Sequence, residues 1–281
     1  MKRKICLLIG LCIALFSSDL FARQEMKVLS YNVLKGLQQD SLIQEEYIHW
    51  VDSLSPDIIA YEEMNGFTQK SLEEFAAKYG HPYAVQSKIE GFPVALSSKY
   101  PIVNVQKVVD NMWHAYLYAN INHVHVFVIH FSPFSYKKRQ QEVRQVLAHA
   151  ATLPQDEKIM IMGDFNSMAS SDAAQLTDAM VAGMRENERK HDHIRNLNNG
   201  QVDYSVTDAM KEAGFLDSYW LKNKTFMPSV TTKKYGKPAR RIDFLWVNKS
   251  LAKQVKSSTI IHDKATDHLS DHYPVFVVLD L

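Results

Sequence analysis

Cysteine is nearly absent from this chain. Its 281 residues contain two, Cys6 and Cys12, both in the first twelve positions. The remainder therefore folds without a disulfide framework and without a thiolate metal cage. No internal repeat, low-complexity tract or Pro/Gly-rich linker is present, which leaves one domain as the expectation. No apolar run reaches the ~20 residues of a bilayer span. The run Ile5 to Phe16 follows a basic start of Lys2, Arg3 and Lys4 and is followed by small and polar residues up to Ala22. That pattern predicts a cleaved signal peptide over residues 1–22 and export to the periplasm or beyond, with residues 23–281 as the mature domain. A charge excess is missing too. Cleavage lowers Lys+Arg from 32 to 29 and Asp+Glu from 31 to 30, a net charge of about −1. The broad positive field of a tight nonspecific nucleic-acid binder is thus not expected.

What is present is an alternation of short β-rich runs with helical patterns. Strands are predicted at Met26 to Val33, Asp57 to Tyr61, Pro93 to Ser98, Ile102 to Val109, Tyr116 to Asn122 and His125 to His130. Further strands follow at Lys158 to Met162, Ile242 to Val247, Ser257 to Ile261 and Val275 to Leu279. Helical spacing covers Gln44 to Leu54, Thr68 to Tyr79, Tyr136 to Ala151 and Val206 to Ala213, while the polar stretch up to about Gly200 reads as irregular. Two such halves predict an α+β fold: a four-layer α/β/β/α sandwich of two mostly antiparallel sheets, with a crevice where strand ends meet.

Polar residues end several of these apolar strands. Ile159 to Met162 opens into Gly163-Asp164-Phe165-Asn166, where Asp164 and Asn166 share a face. A carboxylate beside an amide can orient water and hold a phosphate oxygen, although both are also common turn residues. Asp271, in Ser270-Asp271-His272-Tyr273-Pro274, offers a hard oxygen ligand. His272 faces the other way and needs an orienting partner, for which Asp243 is the candidate. Asp243 interrupts an apolar strand and must be paired, with His272 or with Arg240 or Arg241. His130 ends the strand Val126 to Ile129, and Glu62-Glu63 ends another. Strict alternation lets one of those two acids enter the crevice.

Taken in order, Tyr31-Asn32-Val33, Asp57 to Glu63, Leu96 to Ile102, His130, Gly163-Asp164-Phe165-Asn166, Arg241-Ile242-Asp243-Phe244 and Ser270 to Pro274 resemble the endonuclease/exonuclease/phosphatase family across the mature chain. The resemblance implies metal-dependent hydrolysis of a phosphate ester. Glu63 is implied as the principal metal ligand, with Asn32 and Asp271 beside it. Asp164 and Asn166 would position water and phosphate, and His272, held by Asp243, would act with His130 on the phosphoryl oxygens. An oxygen-rich donor set without cysteine suits Mg²⁺, or Mn²⁺. Substrate contacts are expected from His114, Arg139 and Arg241.

Departures from the family pattern steer the substrate. Glu62 stands where relatives usually carry Gln, and is expected to point away from the metal or tune it. Leu34 replaces an acid typical of apurinic endonucleases, and Met64 and Asn65 follow where pancreatic deoxyribonucleases carry a groove-entering Arg. A small phosphorylated molecule or lipid headgroup is therefore the favoured substrate of a monomeric enzyme. A nonspecific extracellular nuclease is the alternative, and an idle binding module the third reading. Cleft walls are expected from Met168 to Gly200 and Leu221 to Arg240.

Overall fold

The structure is a computed structural model that describes residues 25–154, 156–236 and 238–281. The segment read as a signal peptide, 1–22, lies outside the described residues. In chain order the strands are β1 (Glu25–Asn32), β2 (Ile58–Glu62), β3 (Tyr83–Gln86), β4 (Ala95–Ser98), β5 (Ile102–Val108), β6 (Ala115–Ile121), β7 (Val124–His130) and β8 (Lys158–Asp164). They continue as β9 (Leu197–Asn198), β10 (Gln201–Val202), β11 (Leu216–Asp217), β12 (Asp243–Val247), β13 (Val255–Ile260) and β14 (Val275–Asp280). One six-stranded sheet runs β13-β14-β1-β2-β4-β3 and the other β11-β12-β8-β7-β6-β5, while β9 and β10 form a small ribbon. Pairing is antiparallel except between β1 and β2 and between β7 and β8.

Side-chain alternation builds the layers. Even-numbered residues of β1, β2, β7 and β8, among them Val28, Ile58, Ala60, Val126, Val128, Met160 and Met162, form a core between the two sheets. Odd-numbered residues of the first sheet, including Leu29, Tyr31, Ile59 and Tyr61, pack on the helices Ser41–Leu54 and Gln69–Ala77. Those of the second, including Phe127, Ile129, Ile159 and Ile161, pack on Tyr136–Ala150 and Ser205–Glu212. The result is the expected α/β/β/α sandwich. Helix starts follow capping chemistry: Asp40 accepts from the amides of Leu42 and Ile43, and Thr68 and Ser71 form a reciprocal capping box.

The irregular reading of the stretch before Gly200 is corrected. It holds the helix Asp178–Lys190, capped by Thr177, whose one buried residue is Val181. A helix burying so little lacks the apolar stripe by which a sequence announces one. Strand β3, with an exposed and a half-exposed residue in its four, also had no clear signal. No helix among the described residues is long and apolar enough to cross a membrane.

Candidate active site

The inter-sheet face of five strands ends in a polar residue. On β1, β2, β7, β8 and β12 the apolar rungs give way to Asn32, Glu62, His130, Asp164 and Asp243. Register places them side by side: His130 pairs with Asp164, Asp164 with Asp243, and Asn32 with Glu62. One hydrogen bond closes the gap between sheets, from Asn32 Nδ2 to Asp164 Oδ2 at 3.2 Å. The 270–272 turn is fastened to the same place, because Ser270 Oγ donates to the Asn32 carbonyl and accepts from the His272 amide.

His272 and Asp243 meet as expected. Nδ1 lies 3.0 and 2.9 Å from the two carboxylate oxygens of Asp243. This fixes the imidazole and turns Nε2 toward the crevice, 3.8 Å from Asp164 Oδ2 and 4.0 Å from Asp271 Oδ1. Burial alone would depress this histidine, but Asp243, with Asp164 and Asp271, outweighs it and lifts the imidazole to about 10. It is a cation at neutral pH. His130 is the opposite case: burial, then the neighbouring His114, His272 and Lys88, hold it well below the ordinary value, so it is neutral. Its Nε2 stands 3.5 Å from Asp164 Oδ2. Asp164 is raised to about 7, first by burial and then by Asp243. Its Oδ1 accepts from the Asn166 amide, and Asn166 Nδ2 donates to the Phe131 carbonyl. A proton can therefore be taken up at Asp164 Oδ2 and delivered from His272 Nε2 within one small space.

Both acids at the end of β2 enter this space, which corrects the expectation that one of them points away. Glu62 continues the inter-sheet face of Ile58 and Ala60, is fully buried, and has no hydrogen-bond partner at either oxygen. Beyond it the strand ends and Glu63 takes φ of +63°. Alternation is broken there, and Glu63 Oε1 comes within 3.4 Å of Asn32 Nδ2 while Oε2 accepts from the Lys35 amide. Gly163 makes room for Glu62: at its φ of +135° a Cβ would lie 2.0 Å from the Ile129 carbonyl oxygen and 2.9 Å from Glu62 Oε1. Burial raises both acids, Glu62 strongly, with Asp243 and Asp164 adding to Glu62.

The donor chemistry fits a hard divalent cation. Five acids surround one cationic imidazole, and the oxygens of Glu62 are orphaned. Asp164, Asp243 and His272 are a group whose ligand atoms lie within 4.8 Å of one another. In that group Asp243 and His272 already satisfy each other, so the oxygens left for a cation are those of Glu63 and Asp271 at the rim, with Glu62 beneath and the buried Asn32 amide oxygen, which accepts from the Leu34 amide, beside them.

The three expected substrate contacts are placed differently. Arg241 is 1% exposed and bound to Asp172 at 2.8 Å and Asp217 at 2.5 Å, so it is a core cation, not a substrate group. It also leaves Asp243 free for His272. Arg139 is buried, with Nε and Nη1 donating to Ser167, the Ser132 carbonyl and Asn196. His114 is buried and stacked on His130 at 4.1 Å, and burial, then Lys88, pushes it down to about 3. It packs as a neutral ring against the His130 imidazole.

Fold and site define a four-layer α/β sandwich with a carboxylate–imidazole centre at the mouth between its sheets. The chain belongs to the Endonuclease/Exonuclease/phosphatase family, which it matches over residues 29–272. It is similar in fold to an AP endonuclease from Archaeoglobus fulgidus, with TM-score 0.69 and 17% identity over 91% of this chain and 100% of that one. A 3′ phosphatase, NExo, from Neisseria, bound to a product DNA hairpin, gives TM-score 0.67 and 19% identity over 91% and 100%. A humanized D. rerio TDP2 gives 0.61 and 15% over 92% and 99%. No match is found among curated proteins.

Proposed function

We propose that the chain is an exported, Mg²⁺-dependent phosphoesterase that hydrolyses a phosphate mono- or diester of a small molecule or lipid headgroup by in-line attack of water. One observation carries this reading: Asp164 Oδ2 faces Asn32 Nδ2, His130 Nε2 and His272 Nε2 at 3.2, 3.5 and 3.8 Å, a carboxylate oxygen ringed by donors from separate elements. Glu63, Asn32 and Asp271 would hold Mg²⁺, and Mn²⁺ fits the same oxygens. When bound, the ion polarises a phosphate oxygen and neutralises charge on the leaving group. Asp164, near 7 in the metal-free protein, takes the proton of the attacking water, which Asn166 helps to hold. His272 donates from Nε2 to a phosphoryl oxygen with Asp243 fixing its ring, and neutral His130 steadies Asp164.

The small-substrate reading is supported by the near-zero charge of residues 23–281 and by the commitment of Arg241 to the scaffold. Export rests on the basic-then-apolar start of the sequence. A nuclease is the second reading, favoured by fold likeness to proteins named for DNA chemistry. Plasmid DNA, RNA, sphingomyelin and inositol phosphates assayed with Mg²⁺ separate them. Turnover of a lipid or inositol phosphate, lost with EDTA and in His272→Ala, is expected; faster cleavage of DNA or RNA overturns the substrate assignment.

A further inference from the structure

A cavity of about 320 Å³ opens beside Asn166, walled by the stretch after the catalytic strand β8 and by the segment leading into β12. That volume is at the lower end of small-ligand sites. Met168, Ile242 and Val202 give it an apolar floor. Its polar lining includes Asn187, Asn196 and two guanidinium groups, those of Arg139 and Arg240.

The arginines are unevenly satisfied. Arg139 spends Nε and Nη1 on Ser167, Ser132 and Asn196, and its Nη2 donates to no described residue. The side chain of Arg240 has no hydrogen-bond or ion-pair partner among the described residues, and its Nε is buried without one. Arg139 sits within the field of Arg240, while Arg240, held down by burial, is favoured as a cation only by the field of Asp164. The carboxylate in the lining favours the charge of Arg139 through its field but supplies neither guanidinium with an acceptor. Asp203 accepts from Ser205 at Oδ1 and from Asn198 and Gln140 at Oδ2, and it pairs with neither arginine. A buried guanidinium N–H without an acceptor is costly, and two neighbouring cations repel. An anion with several oxygens relieves both, because the guanidinium fork matches phosphate geometry.

We propose that this cavity is an anion subsite that receives a second phosphoryl group of a small bis-phosphorylated substrate, with Arg240 as the specificity-determining residue. The proposal rests on the phosphoesterase reading and names its substrate class. Asn166 belongs to both the cavity lining and the reacting group, so a ligand anchored on Arg240 has its other phosphate within reach of Asp164 and His272. A cavity of this volume suits a compact molecule better than a continuous strand.

Calorimetric titration of the protein in EDTA tests binding apart from turnover. The probes are adenosine 3′,5′-bisphosphate, adenosine 5′-monophosphate and a single-stranded DNA 12-mer. The wild type is expected to prefer the bisphosphate to the monophosphate by about 10- to 100-fold, the range for hydrogen bonds to a charged group. Arg240→Gln removes that preference, Arg240→Lys keeps part of it, and the exposed control Lys70→Gln keeps all of it. His272→Ala retains the preference while hydrolysis is lost. Equal binding of both nucleotides by the wild type, or an unchanged preference in Arg240→Gln, overturns the subsite. Loss of 12-mer binding as the main effect of Arg240→Gln overturns the small-molecule assignment. A bisphosphate preference without hydrolysis of any phosphate ester leaves the subsite standing and removes the phosphoesterase reading instead.

Discussion

Two buried charge clusters lie on the β8–β12 side of the molecule and are built on opposite plans. In one, Arg241 is gripped by Asp172 and Asp217, and its guanidinium lies 4.6 Å from the ring centre of Phe244 and 5.5 Å from that of Tyr219. Burial works against its charge, but Asp217 and Asp172 outweigh that and raise it. In the other, Glu62, Glu63, Asp164, Asp243 and Asp271 surround His272 alone, and several of the acids are raised by burial and by one another. The first cluster is close to balance, one cation held between two carboxylates, with Asp172 Oδ1 left without a partner. The second is left incomplete, and a cation and a phosphate are what would complete it. Buried charge signals function where it is unbalanced.

The comparison predicts a division of effects between activity and stability. The largest belongs to the unbalanced cluster. His272→Ala should lower kcat by about 10²- to 10⁴-fold, the range for a positioned proton donor. Asp243→Asn should reproduce much of that loss by releasing the ring. A His272→Ala enzyme with kcat within a few-fold of wild type would remove this residue from the chemistry. Next comes the balanced cluster. Arg241→Met strands two buried carboxylates and should cost about 3–5 kcal/mol, roughly 10 °C in midpoint for a domain of this size. Adding Asp172→Asn and Asp217→Asn should recover part of it. Calorimetric unfolding of the single and triple variants measures both, and an Arg241→Met variant as stable as wild type would erase the contrast.

A smaller effect separates the neighbouring acids. Glu63→Gln should raise the Mg²⁺ concentration for half-maximal activity by about 10- to 100-fold. Glu62→Gln should raise it less, since a fully buried acid held far above its ordinary value is close to a neutral amide already. Metal titration of both variants ranks them, and a larger loss in Glu62→Gln would move the principal ligand to that residue.

These acids also mark where the sequence stops being legible. Alternation along apolar strands exposed both sheets, and a polar residue at the end of an apolar run was enough to single out His130, Asp164 and Asp243. The partnership of His272 with Asp243 could be argued because a carboxylate in an apolar strand must be paired. Local pattern does not report backbone departures from the ideal, so the positive φ at Glu63, which brings both acids inward, was invisible. Nor does it say which of two adjacent arginines meets a carboxylate. Arg241 finds Asp172 and Asp217 from segments 69 and 24 residues away, and Arg240 meets the cavity. The helix Asp178–Lys190 hid because it buries almost nothing.

The smallest expected effect is on the pH dependence of stability in the metal-free protein. Asp164 is raised from 3.8 to about 7. Between those values the unfolded chain has released a proton that the fold retains, so stability falls as pH rises through this window. Glu62 and Glu63, also raised, add to the fall. His272, raised from 6.5 to about 10, carries the same sign upward: its contribution is complete below 6.5 and lost as pH climbs toward 10. Surface acids held low by cations, such as Glu186 at about 2 beside Arg189 and Lys190, act in the acid range below this window. Scanning fluorimetry in EDTA should show a midpoint declining between pH 5 and 9 by the equivalent of about 1–3 kcal/mol. Asp164→Asn should flatten the lower part and His272→Gln the upper. Saturating Mg²⁺ should oppose the decline, because binding releases protons from the acids and gains strength as pH rises. A metal-free midpoint that climbs steadily over the same range would mean that the two clusters are balanced alike.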